Sequence, residues 1–203
     1  MDRSTRLWAA LLGLAFAAPS APAAAAEFWV DPVNGSPTGD GSAAAPWQTL
    51  EQVVEDGLIE TRHWDTLPYE PGHGFVVVNP GAPVKAGDTI WLRSGYHGAL
   101  FVRGAYNAAP ITIAAEPGEV PELRGVQLSA AQNWILRGLS ISPSHGPGPL
   151  TQGTIVFVEN HGWHGPSWDI TIERCDVFTV DDASAWGATE WVNVASSGFR
   201  IDG

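Results

Sequence analysis

The feature of the sequence that most limits its fold is a series of short, β-branched segments, each interrupted by glycine, proline or asparagine. They begin after Lys85 and recur at intervals on the order of 20 residues or a multiple of it. The segments are 89–92, 99–102, 111–113, 122–124, 134–141, 154–158, 170–180 and 199–201. Strands this short and this regularly interrupted indicate an all-β fold. Their period predicts a solenoid of stacked coils.

The segments also resemble one another. Residues 134–141 (WILRGLSI) align with residues 170–177 (ITIERCDV), and each contains an apolar strand, a polar pair and a second apolar strand. The polar pair predicts a corner at which the chain turns from one face of a coil to the next. Inward side chains then stack on those of the neighbouring coil and form a continuous core.

A second alignment matches residues 152–157 with residues 197–201. Alternation along the later segment predicts that Phe199 and Ile201 point inward, whereas Arg200 and Asp202 point outward. The residues predicted to be mostly buried in this way are Ile111, Ile113, Leu136, Leu139, Ile141, Ile155, Phe157, Ile170, Ile172, Val177, Phe199 and Ile201.

The start of the chain has the pattern of a secretory signal peptide. Arg3 and Arg6 precede an apolar run at residues 7–18, which is too short to span a bilayer. Small residues follow, with an Ala-x-Ala pattern ending at Ala26. The sequence therefore predicts a signal peptide at residues 1–26 and a secreted or periplasmic protein with no membrane contact after cleavage. The alternative is an uncleaved membrane anchor.

Residues 27–84 lead into the repeats. A short apolar strand is followed by a Gly/Asp/Ser-rich turn, and Leu50, Val53 and Val54 then recur with helical spacing. This spacing predicts a short amphipathic helix at residues 47–56 that caps the first coil. Residues 57–83 are rich in proline and glycine and are predicted to be irregular.

The repeats together look like a known group of proteins. The segments that carry the resemblance are FWVDPVNGSPTGDGSAAAPWQTL (28–50), AGDTIWLRSGYHGALFV (86–102), APITIAAEPGEVPEL (109–123) and NWILRGLSIS (133–142). They resemble the N-terminal cap and first coils of right-handed parallel β-helix proteins of the pectate-lyase-like superfamily. Members of that superfamily usually continue for many more coils, so residues 85–203 are expected to be the first coils of a truncated chain.

Composition narrows the choice of ligand. The net charge is −12 and Lys85 is the only lysine, which argues against a nucleic-acid partner. The same charge opposes unaided capture of an acidic polysaccharide. A polyuronate ligand would therefore need a bridging cation, and Ca²⁺ is the predicted cofactor.

The resemblance implies a catalytic arrangement for the lyase members of the superfamily. There, an arginine or lysine on the outer face of a strand removes a proton, while carboxylate-bound Ca²⁺ neutralises the uronate. Arg200 is the predicted base, and Asp181, Asp182 and Asp202 are the predicted metal ligands. The alternatives are a solvated loop for the aspartate pair and exposed solubilising charge for Arg200.

Tryptophan suggests where a glycan binds. The chain contains ten tryptophans, and Trp163, Trp186 and Trp191 lie in the two loop insertions of the repeats. Indole rings stack on the C–H faces of sugars, and loops on a rigid scaffold commonly carry function. These three residues are the predicted substrate contacts.

Two functions remain open at this stage, because lyases, hydrolases, epimerases and non-catalytic surface proteins share the architecture. The first is a polysaccharide lyase that cleaves a uronate polymer by Ca²⁺-assisted β-elimination. The alternative is a non-catalytic surface, adhesion or glycan-binding β-helix protein. The resemblance and the aromatic loops favour the first, while the scarcity of lysine and the negative charge favour the second.

Overall fold

A computed structural model of the protein describes residues 25–203, which form a mostly β structure with two short helices. The predicted signal peptide lies outside this range except for its last two residues. The strands are β1 (Glu27–Val30), β2 (Thr61–Trp64), β3 (Phe75–Val78), β4 (Thr89–Leu92), β5 (Gly95–Tyr96), β6 (Ala99–Ala115), β7 (Pro121–Leu123), β8 (Gly125–Arg137), β9 (Ser140–Ile141), β10 (Thr154–Glu159), β11 (Trp168–Glu173), β12 (Asp176–Val177) and β13 (Ser197–Asp202). The helices are α1 (Leu50–Glu55) and α2 (Ala188–Asn193). Over this range, neither helix has the length and apolar character needed to cross a membrane.

The strands of the repeat segment pair with one another in parallel. The first halves of the long strands β6 and β8 lie beside β10 and β13, and their second halves lie beside β4 and β11. A separate parallel sheet contains β5, β7, β9 and β12. The predicted all-β class and parallel pairing are confirmed, and the three groups of strands recur in the same order along the chain.

An asparagine pair marks the bend in β6 and β8. Asn107 Nδ2 donates to the carbonyl of Asn133 at 3.2 Å, and Asn133 Nδ2 donates to the carbonyl of Asn107 at 2.8 Å. Asn133 has φ of +57°, a conformation that asparagine tolerates better than most residues. The register of the two strands shifts between Tyr106 and Ile111. The bend separates the two halves of each strand and so assigns them to different faces.

The first alignment of repeats is confirmed residue by residue. Ile170 of β11 lies opposite Trp134 of β8, and Val177 of β12 lies opposite Ile141 of β9. The chain turns between these strands at the predicted polar pair, where Arg174 has φ of +54°. A corner of one residue therefore joins neighbouring sheets.

The burial predictions are confirmed for half of the residues concerned. Six of them are buried in the core: Ile111, Ile113, Leu136, Leu139, Ile141 and Ile155. Ile170, Ile172 and Val177 are partly buried and pack against that core.

Two burial predictions, for Phe199 and Ile201, are wrong, whereas Phe157 is partly buried on the outward side of β10. Thr154 lies opposite Ser197 and Val156 lies opposite Phe199. Residues 154–159, rather than 152–157, therefore align with β13, and Phe157 points outward. Phe199 and Ile201 occupy inward positions as predicted, but they are 52% and 75% exposed. Both belong to β13, which pairs only with β10 among the described residues, so no strand packs over them.

The predicted helix is present but shorter. It begins after Thr49, whose Oγ1 accepts a hydrogen bond from the Gln52 N–H at 3.2 Å. This side-chain cap satisfies one of the free amides at the helix start and excludes residues 47–49 from the helix. Trp47 and Leu50 are buried as predicted, and Val54 packs against the core.

The segment predicted to be irregular contains regular structure. Strands β2 and β3 pair in antiparallel fashion, and β2 also lies against β6 through Arg62 and Tyr106. Its proline and glycine residues lie outside the two strands. Trp64 stacks on Phe75 with ring centroids 4.1 Å apart. This aromatic contact stabilises a hairpin that the composition of the segment does not predict.

Asp31 anchors the turn after β1. Asp31 is 3% exposed, and its carboxylate accepts hydrogen bonds from the backbone N–H groups of Val33 and Asn34, both at 2.9 Å. Arg93 Nη1 donates to it at 3.3 Å. Burial acts to raise the pKa of Asp31, but these hydrogen bonds outweigh burial and lower the pKa to about 2.

Asp31→Asn should therefore lower the free energy of unfolding by about 2 kcal/mol at neutral pH. A carboxyl with a depressed folded-state pKa stabilises the protein above its unfolded pKa, and this stabilisation is lost as pH falls toward about 2. Urea titrations between pH 7 and pH 2 should show the difference between the two proteins shrinking below about pH 4. Asp181→Asn, in an exposed loop, is the control. A constant difference across the pH range would contradict the assignment.

Candidate functional site

One sheet face carries an ordered array of polar and aromatic side chains. The first halves of β6 and β8 lie parallel to β10 and β13, and the inward row of Leu100, Val126 and Val156 is buried. Along each strand, the positions that alternate with these buried ones point outward. Together they form an array that we name the outer ladder. Its first row is Phe101, Gln127, Phe157 and Arg200, and its second row is Arg103, Ser129, Glu159 and Asp202.

Each phenylalanine of the outer ladder lies under an arginine. The guanidinium carbon of Arg103 is 4.9 Å from the ring centroid of Phe101, and that of Arg200 is 5.1 Å from the ring centroid of Phe157. A cation over an aromatic face is attracted by the ring quadrupole. The two charges are therefore held in place on a rigid sheet, and Phe101 stays 47% exposed beside them.

Glu159 is oriented by its neighbours on β8. Ser129 Oγ donates to Glu159 Oε1 at 2.5 Å, and Gln127 Nε2 donates to the same oxygen at 3.2 Å. Ser129 is fully buried, so its hydroxyl has a fixed position. These bonds hold the carboxylate in the middle of the second row.

Arg200 and Asp202, the predicted outward pair, form an ion pair with Arg200 Nη2 2.6 Å from Asp202 Oδ2. Both side chains are exposed. The hydrogen bond to Asp202, together with its negative charge, raises the pKa of Arg200. A base must first lose its own proton, so this contact makes Arg200 less suited to proton removal and better suited to holding an anion.

A trough runs across the outer ladder. A cavity of about 420 Å³ lies along the first row and is lined by Arg124, Thr154 and the side chains of Phe101, Gln127 and Phe157. A second cavity, of about 290 Å³, lies between the ladder and the β2–β3 hairpin and includes Phe101 and Arg103 in its wall. Phe101 belongs to both cavities, so they adjoin each other at this ring.

The turn that follows β10 places histidines beside the ladder. His161 Nδ1 accepts hydrogen bonds from the N–H groups of Trp163 and His164, at 3.2 Å and 3.3 Å. The imidazole of His164 packs on Gly104, where an added Cβ would lie 3.1 Å from His164 Nδ1. Gly104 directly follows Arg103 in β6, and the charge of Arg103 acts on the imidazole of His164.

The surroundings of His164 favour its neutral form. Burial lowers the pKa of His164, and its electrostatic interactions with His161, Arg103 and His63 lower it further. A neutral imidazole can accept a proton near neutral pH. Of the titratable groups near the ladder, His164 therefore has a protonation state suited to a base.

The predicted sugar-binding tryptophans lie at opposite ends of the ladder strands. Trp163 is 54% exposed and belongs to the histidine turn after β10. Trp191 lies in α2 and Trp186 lies just before it, and their ring centroids are 5.1 Å apart. Gln152 Nε2 donates to the carbonyl of Val192 at 3.0 Å, which places α2 near the start of β10. The structure brings together Trp186 and Trp191 but not Trp163.

The predicted calcium ligands do not come together. Asp181 and Asp182 are exposed in the loop after β12, where the Asp182 carboxylate accepts a hydrogen bond from the Ser184 N–H at 2.8 Å. Asp202 is paired with Arg200 instead. Over residues 25–203, no group of three or more His, Cys, Asp or Glu side chains is arranged to hold a metal ion. The predicted ligands therefore do not fit a calcium site.

Four residues of the outer ladder were missed as site residues by the sequence analysis: Phe101, Arg103, Phe157 and Glu159. The signal that identifies them is the strand register. Once Val156 and Val158 are placed opposite Phe199 and Ile201, alternation puts all four on the surface with Arg200 and Asp202.

Comparison with known proteins adds little to this geometry. No family model matches the chain, and no curated protein matches it. Among solved structures the chain is similar to a rhamnogalacturonan lyase, with a TM-score of 0.40 and 14% sequence identity. That alignment covers 88% of this chain and 50% of the lyase chain, so the chain spans about half the length of that structure. The interpretation of the site rests on the outer ladder itself.

Proposed function

We propose that the protein is an exported, right-handed parallel β-helix that binds an acidic polysaccharide across its outer ladder and cleaves a uronate polymer by β-elimination. The observation that carries the proposal is the pairing of an arginine with an aromatic ring at two places on one rigid face. The pattern of residues 1–26 supports export, and the ordered recurrence of three strand groups supports the β-helix.

The outer ladder has the features that bind a charged sugar chain. Aromatic rings stack on the C–H faces of sugars, and a guanidinium binds a carboxylate with two parallel hydrogen bonds. Arg103 makes no ion pair with any residue in the range 25–203, so its donors remain available to a ligand. Glu159 and Asp202 balance the two arginines of the ladder. The positive charge that a ligand carboxylate meets is therefore that of the unpaired Arg103, and it acts against the net charge of −12.

Elimination needs two groups near the uronate. The proton beside the carboxylate must leave, and the charge that then develops on the carboxylate must be stabilised. Arg103 can supply that stabilisation without a metal, because its guanidinium is fixed over Phe101.

A non-catalytic glycan-binding or adhesion protein is the second candidate. It is favoured by the Arg200–Asp202 ion pair, which raises the pKa of the arginine predicted as the base. The same aromatic and charged groups would then hold the polymer without cleaving it.

An elimination assay separates these candidates. The purified protein, incubated with polygalacturonate or alginate, should produce an unsaturated sugar whose ultraviolet absorbance rises with time. The assay is run with Ca²⁺ and with a chelator, and the prediction of Ca²⁺ assistance requires a faster rise with the ion. A neutral dextran is the control ligand. Binding without product would favour the second candidate, and neither binding nor product would overturn the proposal.

A further inference from the structure

The inference concerns the base, and it rests on the function proposed above. We propose that His164, rather than an arginine, takes the proton from a uronate sugar whose carboxylate is bound by Arg103.

The backbone around His164 is held firmly. The turn begins directly after Glu159, a residue of the second row, and Ser167 Oγ donates back to the Glu159 carbonyl at 2.6 Å. Tyr106 Oη donates to the carbonyl of His164 at 2.8 Å. Together with the two bonds to His161 Nδ1, these contacts connect the turn to both β10 and β6. A base held in this way needs little reorganisation to reach a bound sugar.

Gly104 allows the close approach of the imidazole to β6. Its φ of +62° is one that residues with side chains rarely adopt, and an added Cβ would lie 3.1 Å from His164 Nδ1. Glycine at this position removes both obstacles. Arg103, which directly precedes Gly104 in β6, is near enough for its positive charge to act on the imidazole of His164.

The titratable and charged groups that act on His164 come from three elements. His161 belongs to its own turn, Arg103 to β6 and His63 to β2. His63 Nδ1 is 2.6 Å from the Trp64 carbonyl, so that nitrogen donates. Burial and the permanent positive charge of Arg103 disfavour the imidazolium of His164, which keeps its imidazole available as a base.

The step balances without an oxidant or a metal. His164 takes the proton from the carbon beside the carboxylate, and the electron pair of that C–H bond forms a carbon–carbon double bond. The neighbouring bond to the glycosidic oxygen breaks with its electrons on that oxygen, which then receives a proton from water. The imidazolium returns its proton to solvent, so the products are a shortened chain and an unsaturated sugar.

His164→Gln tests the inference. We expect kcat on polygalacturonate to fall about 100-fold or more, while the affinity measured by calorimetry stays unchanged. The acid limb of the wild-type pH–rate profile should disappear in any residual activity of the variant. His73→Gln is the matched control, because His73 is an exposed histidine in the hairpin connection, paired with Asp65, and it should leave all three quantities unchanged.

The outcomes separate this inference from the proposed function. Wild-type kcat and an unchanged acid limb in His164→Gln would overturn the role of His164 and leave the lyase intact. A wild-type protein that binds polymer without cleaving it would overturn the role of His164 and leave glycan binding. Absence of both binding and cleavage would overturn both. Titration of the His164 imidazole by NMR in the free wild-type protein provides a check independent of folding changes, and a pKa above the ordinary histidine value would contradict the inference.

Discussion

Replacing Arg103 with glutamine should lower the affinity for polygalacturonate about 10- to 100-fold, because a hydrogen bond to a charged group contributes roughly 1.5–3 kcal/mol. Arg103 is exposed in the second row of the outer ladder, and its guanidinium is held 4.9 Å from the centroid of the Phe101 ring. A bound carboxylate therefore meets a positive charge whose conformational freedom is already restricted. Isothermal titration calorimetry of both proteins at one ionic strength measures the difference.

Two other arginines serve as matched controls for this experiment. Arg137 lies on the second half of β8 and pairs with Glu173 at 2.6 Å, so Arg137→Gln should leave the affinity unchanged. Arg200 lies on the ladder but is engaged by Asp202, so Arg200→Gln should have a smaller effect than Arg103→Gln. Equal losses in all three variants would mean that net charge, rather than the ladder, determines binding.

The sequence predicts the repeating part of the fold because the strands and the corner of each repeat lie within one short segment of the chain. The segments 134–141 and 170–177 each contain their own strands and corner, so aligning the letters is enough to pair Trp134 with Ile170 and Ile141 with Val177. Parallel pairing also follows from the repeats, because successive copies of one unit run in the same direction.

The hairpin at residues 61–78 was missed because its stability depends on contacts outside it. Trp64 stacks on Phe75 within the hairpin, but it also meets Tyr106 of β6 with ring centroids 5.4 Å apart. Tyr106 is fully buried there. The prolines and glycines in the connection predict irregular structure for the segment. The contact with β6 that stabilises the hairpin involves residues distant in the sequence, so the segment alone does not predict it.

The candidate site was predicted in part. Arg200 and Asp202 were placed outward correctly, because alternation in β13 needs no partner. Phe157 was predicted to be buried, but residues 155–158 are all apolar. In such a run, only the pairing with the neighbouring strand shows which side chains point inward. The contact between His164 and Gly104 joins residues that are far apart in the chain, and no local pattern indicates it.

The edge strand β13 exposes two apolar side chains. Phe199 and Ile201 are 52% and 75% exposed on β13, which has no partner on its outer side among the described residues. A cavity of about 420 Å³ opens beside them and is lined by Val158, Ser167, Trp168, Asp169, Ile170, Ile172, Phe199 and Ile201. Apolar side chains next to unpaired strand backbone favour association with another chain.

The protein should therefore self-associate at concentrations on the order of tens of micromolar. The double variant Phe199→Ser/Ile201→Ser should weaken this association about 100-fold or more, because each apolar side chain buried in an interface contributes roughly 1.5–3 kcal/mol. Light scattering and sedimentation of the two proteins measure the change. Val33→Ser/Val120→Ser, at two exposed valines away from β13, should behave like the wild type. A wild-type monomer at these concentrations would mean that Phe199 and Ile201 are covered within a single molecule.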